Sequence, residues 1–257
     1  MSLSPEDRER LRYAKSLLEN PGLAIKIANL IGTPIEKLLE LSSQVAMIVR
    51  EATAKALERA LDVALFTLED RTQEAYPFWH KATVVLTGAG GGALGLGALP
   101  VELSLTTIVM LRSIADIARS EGERLGTADA KLACLEVFAL GGGKAGDDAA
   151  ESGYFAVRAV LGRAVSDAAA YLGEKKAAEK TAPVLVRLIA QVAERFGLVV
   201  SEKVAAQMVP VLGAAGGAVV NVLFIDHFQD MARGHFIVRS LERKYGAEVV
   251  KGEYDTL

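Results

Sequence analysis

The sequence predicts an all-α fold, a multi-helix bundle, and three observations lead to this prediction. Apolar residues recur at helical spacing along most of the chain, whereas runs that alternate with a period of two are scarce. Capping residues and prolines stand where several of these periodic segments begin. Hydrophobic residues make up 51% of the 257 residues but aromatic residues only 6%, so Ala, Val, Leu and Gly supply the apolar surface, as in tightly packed helices.

Each helix is predicted from its periodicity and its start signal. Ser4, Pro5 and Asp7 form an N-cap, a proline in the first turn and an acidic third residue, and Thr127 is a second N-cap. The predicted helices span 5–18, 23–31, 35–68 (one helix, or two that join near residues 42 and 43), 103–124, 128–140, 154–172, 183–196, 201 to the interruption at 210, and 212–245, before a polar tail.

Two long uncharged segments contain much of the glycine. The first 20 residues of the stretch 82–111 carry no charge and include six glycines, and residues 204–225 are uncharged throughout. Glycines in both segments are spaced as G-x-x-x-G, which lets two helices approach closely and offsets a cost of roughly 1 kcal/mol for each helical glycine. We predict two Gly/Ala-rich helical hairpins packed at the centre, with helix-packing or membrane-facing positions at Gly88, Gly92, Gly95, Gly213 and Gly217.

The chain is expected to form one helical domain over residues 1–257, with peripheral segments at 1–20 and 247–257. The clearest loop is 141–148, GGGKAGDD, which is a candidate hinge. Twenty helical residues at about 1.5 Å each roughly match a bilayer core. Because Pro100, Pro210, Gln207 and Asn221 interrupt the apolar segments, shallow or reversible insertion fits better than a permanent span. The preceding YPFWHK, residues 76–81, resembles either an interfacial aromatic belt or an aromatic turn on the core.

Charge and cysteine content restrict the classes of protein. A net charge of −3 gives no basic field for nucleic acid. The single cysteine, Cys134, excludes an intrachain disulfide, and the charged N-terminal residues lack the apolar core of a signal peptide. We therefore expect a cytoplasmic protein, peripheral to the inner face of the cytoplasmic membrane.

Several charged side chains are embedded in apolar helical segments, where a carboxylate is costly to bury without a partner. Structural ion pairing, solvent exposure and a ligand or catalytic site are the three interpretations. Arg239 and Glu242 belong to the same class of embedded charge. The candidate polar cluster comprises Arg112, Asp116, Glu136, Glu151, Tyr154 and Arg158.

Common catalytic motifs do not fit. Residues 88–93 satisfy G-x-G-x-x-[GA], and Tyr171 and Lys175 form Y-x-x-x-K, but a dinucleotide site needs an alternating series of strands and helices that this pattern lacks. The histidines His80, His227 and His235 have no recognised metal spacing, so neither a metal nor a cofactor is expected. No G-x-S-x-G elbow is present, and the sequence favours a protein without enzymatic activity.

An ordered set of segments resembles the EcsC family, a group of bacterial proteins named after the third gene of an ABC-transporter operon. The resemblance covers residues 35–245. It implies a helical, membrane-associated protein with no established activity, and its name suggests a membrane transporter as partner. The segments are Leu99-Pro100, residues 112–118, residues 135–138, residues 151–154 with Arg158, the set Gly213, Ala214, Gly217, Ala218 and Asn221, and His235-Phe236.

We expect a membrane-associated or lipid-interacting protein, and the sequence predicts no particular reaction. One alternative is a hydrolase that uses Glu136 or Glu151 with the nearby arginines. A second alternative is a soluble helical protein that binds an apolar ligand. The oligomeric state is open.

Overall fold

A computed structural model of the chain describes residues 2–19, 22–31, 43–68, 97, 99–141, 153–174, 182–208 and 213–257. These residues form helices and no strands, so the predicted all-α class is confirmed. The helices of this part of the chain are α1 (Pro5–Leu18), α2 (Leu23–Ile31), α3 (Ser43–Thr67), α4 (Leu99–Ser120), α5 (Ala128–Leu140), α6 (Tyr154–Glu174), α7 (Pro183–Gln207), α8 (Gly213–Tyr245) and α9 (Ala247–Thr256).

The two predicted N-caps are present. The Ser4 hydroxyl accepts a 3.2 Å hydrogen bond from the backbone N–H of Asp7, and Thr127 accepts one of 3.3 Å from Ala130. Each cap satisfies a backbone donor that the first turn leaves without a partner. Local sequence therefore determines where α1 and α5 begin.

Several predicted boundaries are wrong: the helix predicted over 103–124 ends at Ser120, and three further differences have a clear local cause. The hydroxyl of Ser201 donates to the carbonyl of Gly197 at 2.8 Å, so it bonds within α7 instead of starting a new helix. Pro100 lies in the first turn of α4, where its missing N–H costs nothing, and the helix begins at Leu99 and not at 103. The expected polar tail is helix α9, and Gly246, with φ of 91°, forms the turn before it.

Helix α8 is the axis of the fold, with a length of about 50 Å at 1.5 Å per residue. It packs against α1, α2, α4, α5, α7 and α9. Phe224, Phe228 and Phe236 are fully buried along it, and the Phe228 ring contacts Phe138 of α5 and Phe196 of α7 at centroid distances of 5.5 and 5.4 Å. These aromatic side chains join three helices in the main core.

Helices α4 and α8 run side by side in the same direction. Gln229 of α8 donates to Ser113 of α4 at 2.8 Å, and Arg239 of α8 pairs with Glu123 just beyond α4 at 2.8 Å. Both contacts join residues that are 116 positions apart. Because Ser113 precedes Glu123 along α4 and its following turn, and Gln229 precedes Arg239 along α8, the two helices run in parallel and their starts lie towards the same end of the bundle.

A second buried cluster joins the two terminal helices to the end of α8 and the start of α6. Leu11 of α1 and Val250 of α9 are fully buried there, together with Tyr154 and Leu241. Asp7 accepts hydrogen bonds from Lys244 at 2.6 Å and from Tyr245 at 2.7 Å. The first and last described helices therefore contribute to the core.

The predicted packing of the two glycine stretches stays a prediction. Gly88, Gly92 and Gly95 lie outside the described residues, and no described atom would come within 4 Å of a Cβ at Gly217. A close helix contact is found instead at Gly234 of α8, where an added Cβ would lie 2.6 Å from Cγ of Leu18 in α1. Of the candidate hinge, only Gly141 is described.

The sequence predicted shallow or reversible insertion into a bilayer, and the length and apolar character of the described helices are relevant to this prediction. Within this part of the chain, none combines the length with the apolar character that crossing a membrane requires.

Candidate functional site

The turn after α4 builds one side of a polar cluster. Gly122 adopts a φ of 85°, which glycine allows without steric cost, and the chain reverses there. The turn places Glu123 against Arg239 of α8, with N–O distances of 2.8 and 3.4 Å. Arg239 also donates to Asp129 at 2.6 Å, and Arg243 contacts Glu123. Two arginines one helical turn apart are thus held by carboxylates from α5 and the preceding turn.

Helix α6 supplies the third arginine of the cluster. Both terminal nitrogens of Arg158 donate to Glu242, at 2.7 and 3.0 Å, in a bidentate pair. The guanidinium carbon also lies 5.3 Å from the ring centroid of Tyr154, one turn earlier on α6. These contacts fix the geometry of Arg158 and seal the outer side of the Tyr154 ring.

A Glu–His–Tyr set, formed by Glu136, His235 and Tyr154, lies beside Arg158 and Arg239. The hydroxyl of Tyr154 and Nδ1 of His235 are 3.0 Å apart and share a hydrogen bond. Nε2 of His235 lies 3.9 Å from Oε2 of Glu136, beyond hydrogen-bonding distance, and has no partner among the described atoms. The exposed fractions are 5% for Glu136, 6% for Tyr154 and 0% for His235. Solvent therefore reaches almost none of this set.

Burial controls the charges of the inner set. It raises the pKa of Glu136 to about 7, although Arg158 and Arg239 act in the opposite direction. It also lowers the pKa of His235 well below the ordinary value, and both arginines add to this effect. At neutral pH His235 is thus neutral and Glu136 is close to its midpoint. The set can hold a proton near pH 7, but it is closed to a substrate in this conformation.

The structure brings together half of the predicted polar cluster. Glu136, Tyr154 and Arg158 lie in one group with Arg239 and Glu242. Arg112 is exposed on α4, and Asp116 contacts Arg119 on the same helix. Glu151 lies outside the described residues.

Sequence reasoning gave His235 no place in the polar cluster, because it considered the histidines only as metal ligands. The available signal was spacing, since His235, Arg239 and Glu242 follow one another at i, i+4 and i+7 and so share one face of α8. His227 has a different role, with Nε2 3.1 Å from the carbonyl oxygen of Gly141. Among the described residues, no three His, Cys, Asp or Glu side chains are grouped to hold a metal ion.

A buried ion pair near the other end of the bundle was also missed. Nζ of Lys203, on α7, is fully buried and donates to Glu102, on α4, at 2.8 Å. Burial lowers the pKa of Lys203, whereas Glu102 raises it. Nζ also lies 5.1 Å from the ring centroid of Phe224 on α8. One turn before Phe224, the buried amide of Asn221 has no hydrogen-bond partner among the described residues.

Around this ion pair the bundle presents an apolar surface. The first turn of α4, the end of α7 and Phe224 of α8 meet at this pair. Residues 99–111 and 213–225 contain a single charged side chain, Glu102, which is turned inward to Lys203, and the half-buried Glu202 precedes Lys203 on α7. Four apolar side chains in the first two turns of α4 and α8 and just after α7 have exposed fractions between 42% and 61%. We call this surface the apolar end, and its members are Val101, Leu105, Met208 and Val219.

A groove of about 700 Å³ lies between α3 and α7. Leu61 of α3 and Leu185 and Ile189 of α7 line its apolar part, together with alanines of both helices. The wall formed by α3 carries four charged side chains, Lys55, Glu58, Arg59 and Asp62. The groove therefore combines apolar area with a wall of mixed charge.

The sequence also shows which protein family this chain belongs to. The sequence matches the EcsC protein family over residues 22–241. This chain belongs to the EcsC family. The region matched to the EcsC family includes the Glu–His–Tyr set, Arg158, Arg239 and the Lys203–Glu102 pair, whereas α1 and α9 lie outside it. No curated protein and no solved structure matches this EcsC chain.

Proposed function

We propose that this EcsC family protein associates with the surface of a lipid bilayer through its apolar end, with the cytoplasmic face of the membrane as the expected side. The observation that carries the proposal is the group of four exposed apolar side chains, Val101, Leu105, Met208 and Val219, at an end where the described first turns have no outward charge. Exposed large apolar side chains that gather near one end of a protein are typical of protein or membrane contacts.

The inward ion pair supports the same proposal. Because Lys203 and Glu102 neutralise one another inside the bundle, this pair brings no net charge to the apolar end. Burying a Val, Leu or Met side chain fully contributes roughly 1.5–3 kcal/mol, so partial insertion of four gives useful but reversible affinity. Since this contact is apolar, high salt should not remove it.

The hydrolase alternative has less support. The carboxylate that it requires, Glu136, is 5% exposed, and its neighbour His235 is fully buried. A general acid or base must come within hydrogen-bonding distance of its substrate. The closed Glu–His–Tyr set is better explained as an internal polar network.

Flotation in a density gradient tests the proposal, with phosphatidylcholine vesicles and with vesicles that also contain phosphatidylglycerol. The wild-type protein should float with both and remain bound in high salt. Val101→Glu combined with Leu105→Glu should abolish flotation without lowering thermal stability, because both side chains are exposed. Val160→Glu is the matched control, since Val160 is 71% exposed on α6, two residues beyond Arg158. Absence of flotation by the wild type, or normal flotation of the double variant, overturns the proposal.

A further inference from the structure

The outward face of α3, which forms one wall of the groove, carries three exposed charges, at Lys55, Glu58 and Arg59, that contribute little to the stability of a single copy of the chain. Lys55 pairs with Glu51 one turn earlier, at 2.6 Å, and both side chains are more than half exposed. Glu58 and Arg59 are exposed and form no ion pair with any described residue. An exposed pair such as Lys55–Glu51 contributes little to stability, so Lys55 can change partners at small cost.

The signs of the charges along this face of α3 are complementary when two copies of the helix are aligned antiparallel. Read forward, residues 55, 58, 59 and 62 are positive, negative, positive and negative, and read backward the signs are inverted. If a second α3 lies antiparallel on the first, with the two-fold axis between residues 58 and 59, Lys55 faces Asp62 of the second copy. Glu58 then faces Arg59 of the second copy. A two-fold axis repeats each contact, so all four charges on both copies meet an opposite charge.

The groove beside α3 supplies the apolar component that such an interface needs. Exposed ion pairs alone give little affinity. Leu61, Leu185 and Ile189 form the nearly buried floor of the groove, and the apolar area open to a second copy is mainly Val186, 53% exposed on the wall formed by α7, with the alanines beside it. Face-to-face packing of two copies would cover this apolar area and surround it with paired charges. A partially apolar centre with a polar rim is the usual anatomy of a specific interface.

We propose that two copies of this chain form a two-fold symmetric dimer in which their α3 helices lie antiparallel over the α3–α7 grooves. The occupant of this surface is thus a second copy of the chain. The apolar end does not take part, so the dimer and the membrane contact are separate properties of the molecule.

Charge reversal tests the proposal by sedimentation equilibrium of the full-length protein at low salt. Lys55→Glu alone and Asp62→Lys alone should each weaken the dimer at least tenfold, because each variant opposes like charges at two symmetry-related places. The double variant K55E/D62K should recover the dimer.

Mixing the two single variants provides a complementary test of the same geometry. An equimolar mixture should form a heterodimer, because the glutamate introduced at position 55 of one copy would face the lysine introduced at position 62 of the other. At the symmetry-related place, the unchanged Asp62 and Lys55 would still face one another. A mixture that stays monomeric while the wild type dimerises would contradict the antiparallel arrangement.

A second pair of variants keeps the test decisive if replacement of the half-buried Asp62 disturbs folding. Glu58→Arg and Arg59→Glu should each weaken the dimer, and E58R/R59E should restore it, because both side chains are exposed and their replacement should not disturb the fold. Arg163→Glu, on the exposed face of α6, is the control and should leave the dimer intact.

Three further results overturn the proposal. The first is a wild-type protein that stays monomeric at about 100 μM, well above the micromolar Kd of a modest interface. The second is a dimer that none of the reversals weakens. The third is a monomer whose mass in native mass spectrometry includes a bound apolar molecule that Val186→Glu displaces, which would assign the groove to a small ligand.

Discussion

The buried ammonium of Lys203 donates a 2.8 Å hydrogen bond to the carboxylate of Glu102, and this contact joins the last turns of α7 to the first turn of α4. The first turn of α4 carries no other charge, and the pair is almost completely removed from solvent. The charges are tolerated because each compensates the other in a region of low polarity.

Removal of one member of the Lys203–Glu102 pair should lower the free energy of unfolding much more than removal of both. Lys203→Ala leaves the Glu102 carboxylate buried without a partner, and we expect a loss of about 3–5 kcal/mol in the free energy of unfolding. The double variant K203M/E102L replaces the pair by apolar side chains of similar size and should recover most of that loss. Urea denaturation measures both values. Equal losses in the single and double variants would contradict the assignment of the pair as compensating charges.

The stability effect of Glu136→Gln should depend on pH. Burial raises the pKa of Glu136 from the ordinary 4.5 to about 7, so the folded protein binds a proton more tightly than the unfolded chain does. The wild type should therefore lose stability as pH rises from 4.5 to 7, whereas glutamine does not titrate. Relative to the wild type, the variant should gain up to about 3 kcal/mol between pH 4.5 and pH 8.

Urea denaturation at several pH values across this range checks the sign. His235 is present in both proteins, so its contribution to the pH dependence cancels in the comparison. The remaining difference in the free energy of unfolding reports on Glu136. Glu174→Gln, at the exposed end of α6, provides the baseline. A difference between Glu136→Gln and the wild type that stays constant from pH 4.5 to 8 would show that Glu136 is not held in a desolvated state.

The hydrogen bond between Tyr154 and His235 should appear as coupling in a double-mutant cycle. Tyr154→Phe leaves Nδ1 of the buried His235 without a partner and should cost about 1–3 kcal/mol. His235→Leu leaves the Tyr154 hydroxyl unpaired in the same way. The double variant should lose at least about 1 kcal/mol less than the sum of the single losses. Additive losses in thermal or chemical denaturation would argue against a shared bond.

Two helical glycines should respond in opposite directions to alanine. A Cβ at Gly234 would lie 2.6 Å from Cγ of Leu18 and 3.0 Å from the backbone oxygen of Ala14, so Gly234→Ala should destabilise the contact of α8 with α1 by about 1–3 kcal/mol. Gly162 is exposed in α6 and no described atom lies within 4 Å of the added Cβ. Gly162→Ala should therefore stabilise the protein by about 0.5–1 kcal/mol, as thermal melts can show.

Local signals explain which features of the fold could be predicted. The starts of α1 and α5 depend on hydroxyl groups that bond three residues ahead, which a sequence displays directly. Ser201 and Pro100 were misinterpreted because each residue has two common roles. A serine can cap a helix or bond back within one, and a proline can end a helix or occupy its first turn. Tertiary packing selects between these roles.

The part of the candidate site that the sequence predicted is the part in which a charged residue lies within an apolar segment. Glu136 lies within an apolar helical run, which indicated that it needs compensation. Its neighbour His235 is distant in the sequence, and one sequence contains no information about such pairings. Lys203 was missed because lysine in a helix is normally at the surface. The lone charge in residues 82–111, Glu102, was the signal that a buried cation had to exist.

The position of α8 determines which parts of the protein can open without global unfolding. A helix that has packed neighbours on several sides and buries Phe224, Phe228 and Phe236 cannot separate locally without disrupting the aromatic core. Its central backbone amides should exchange with deuterium only when the whole molecule unfolds, so their protection reports the global free energy. Motions that accompany binding are consequently confined to the helices around α8, which keeps Val219 of the apolar end and His235 of the polar cluster about 24 Å apart along a rigid axis.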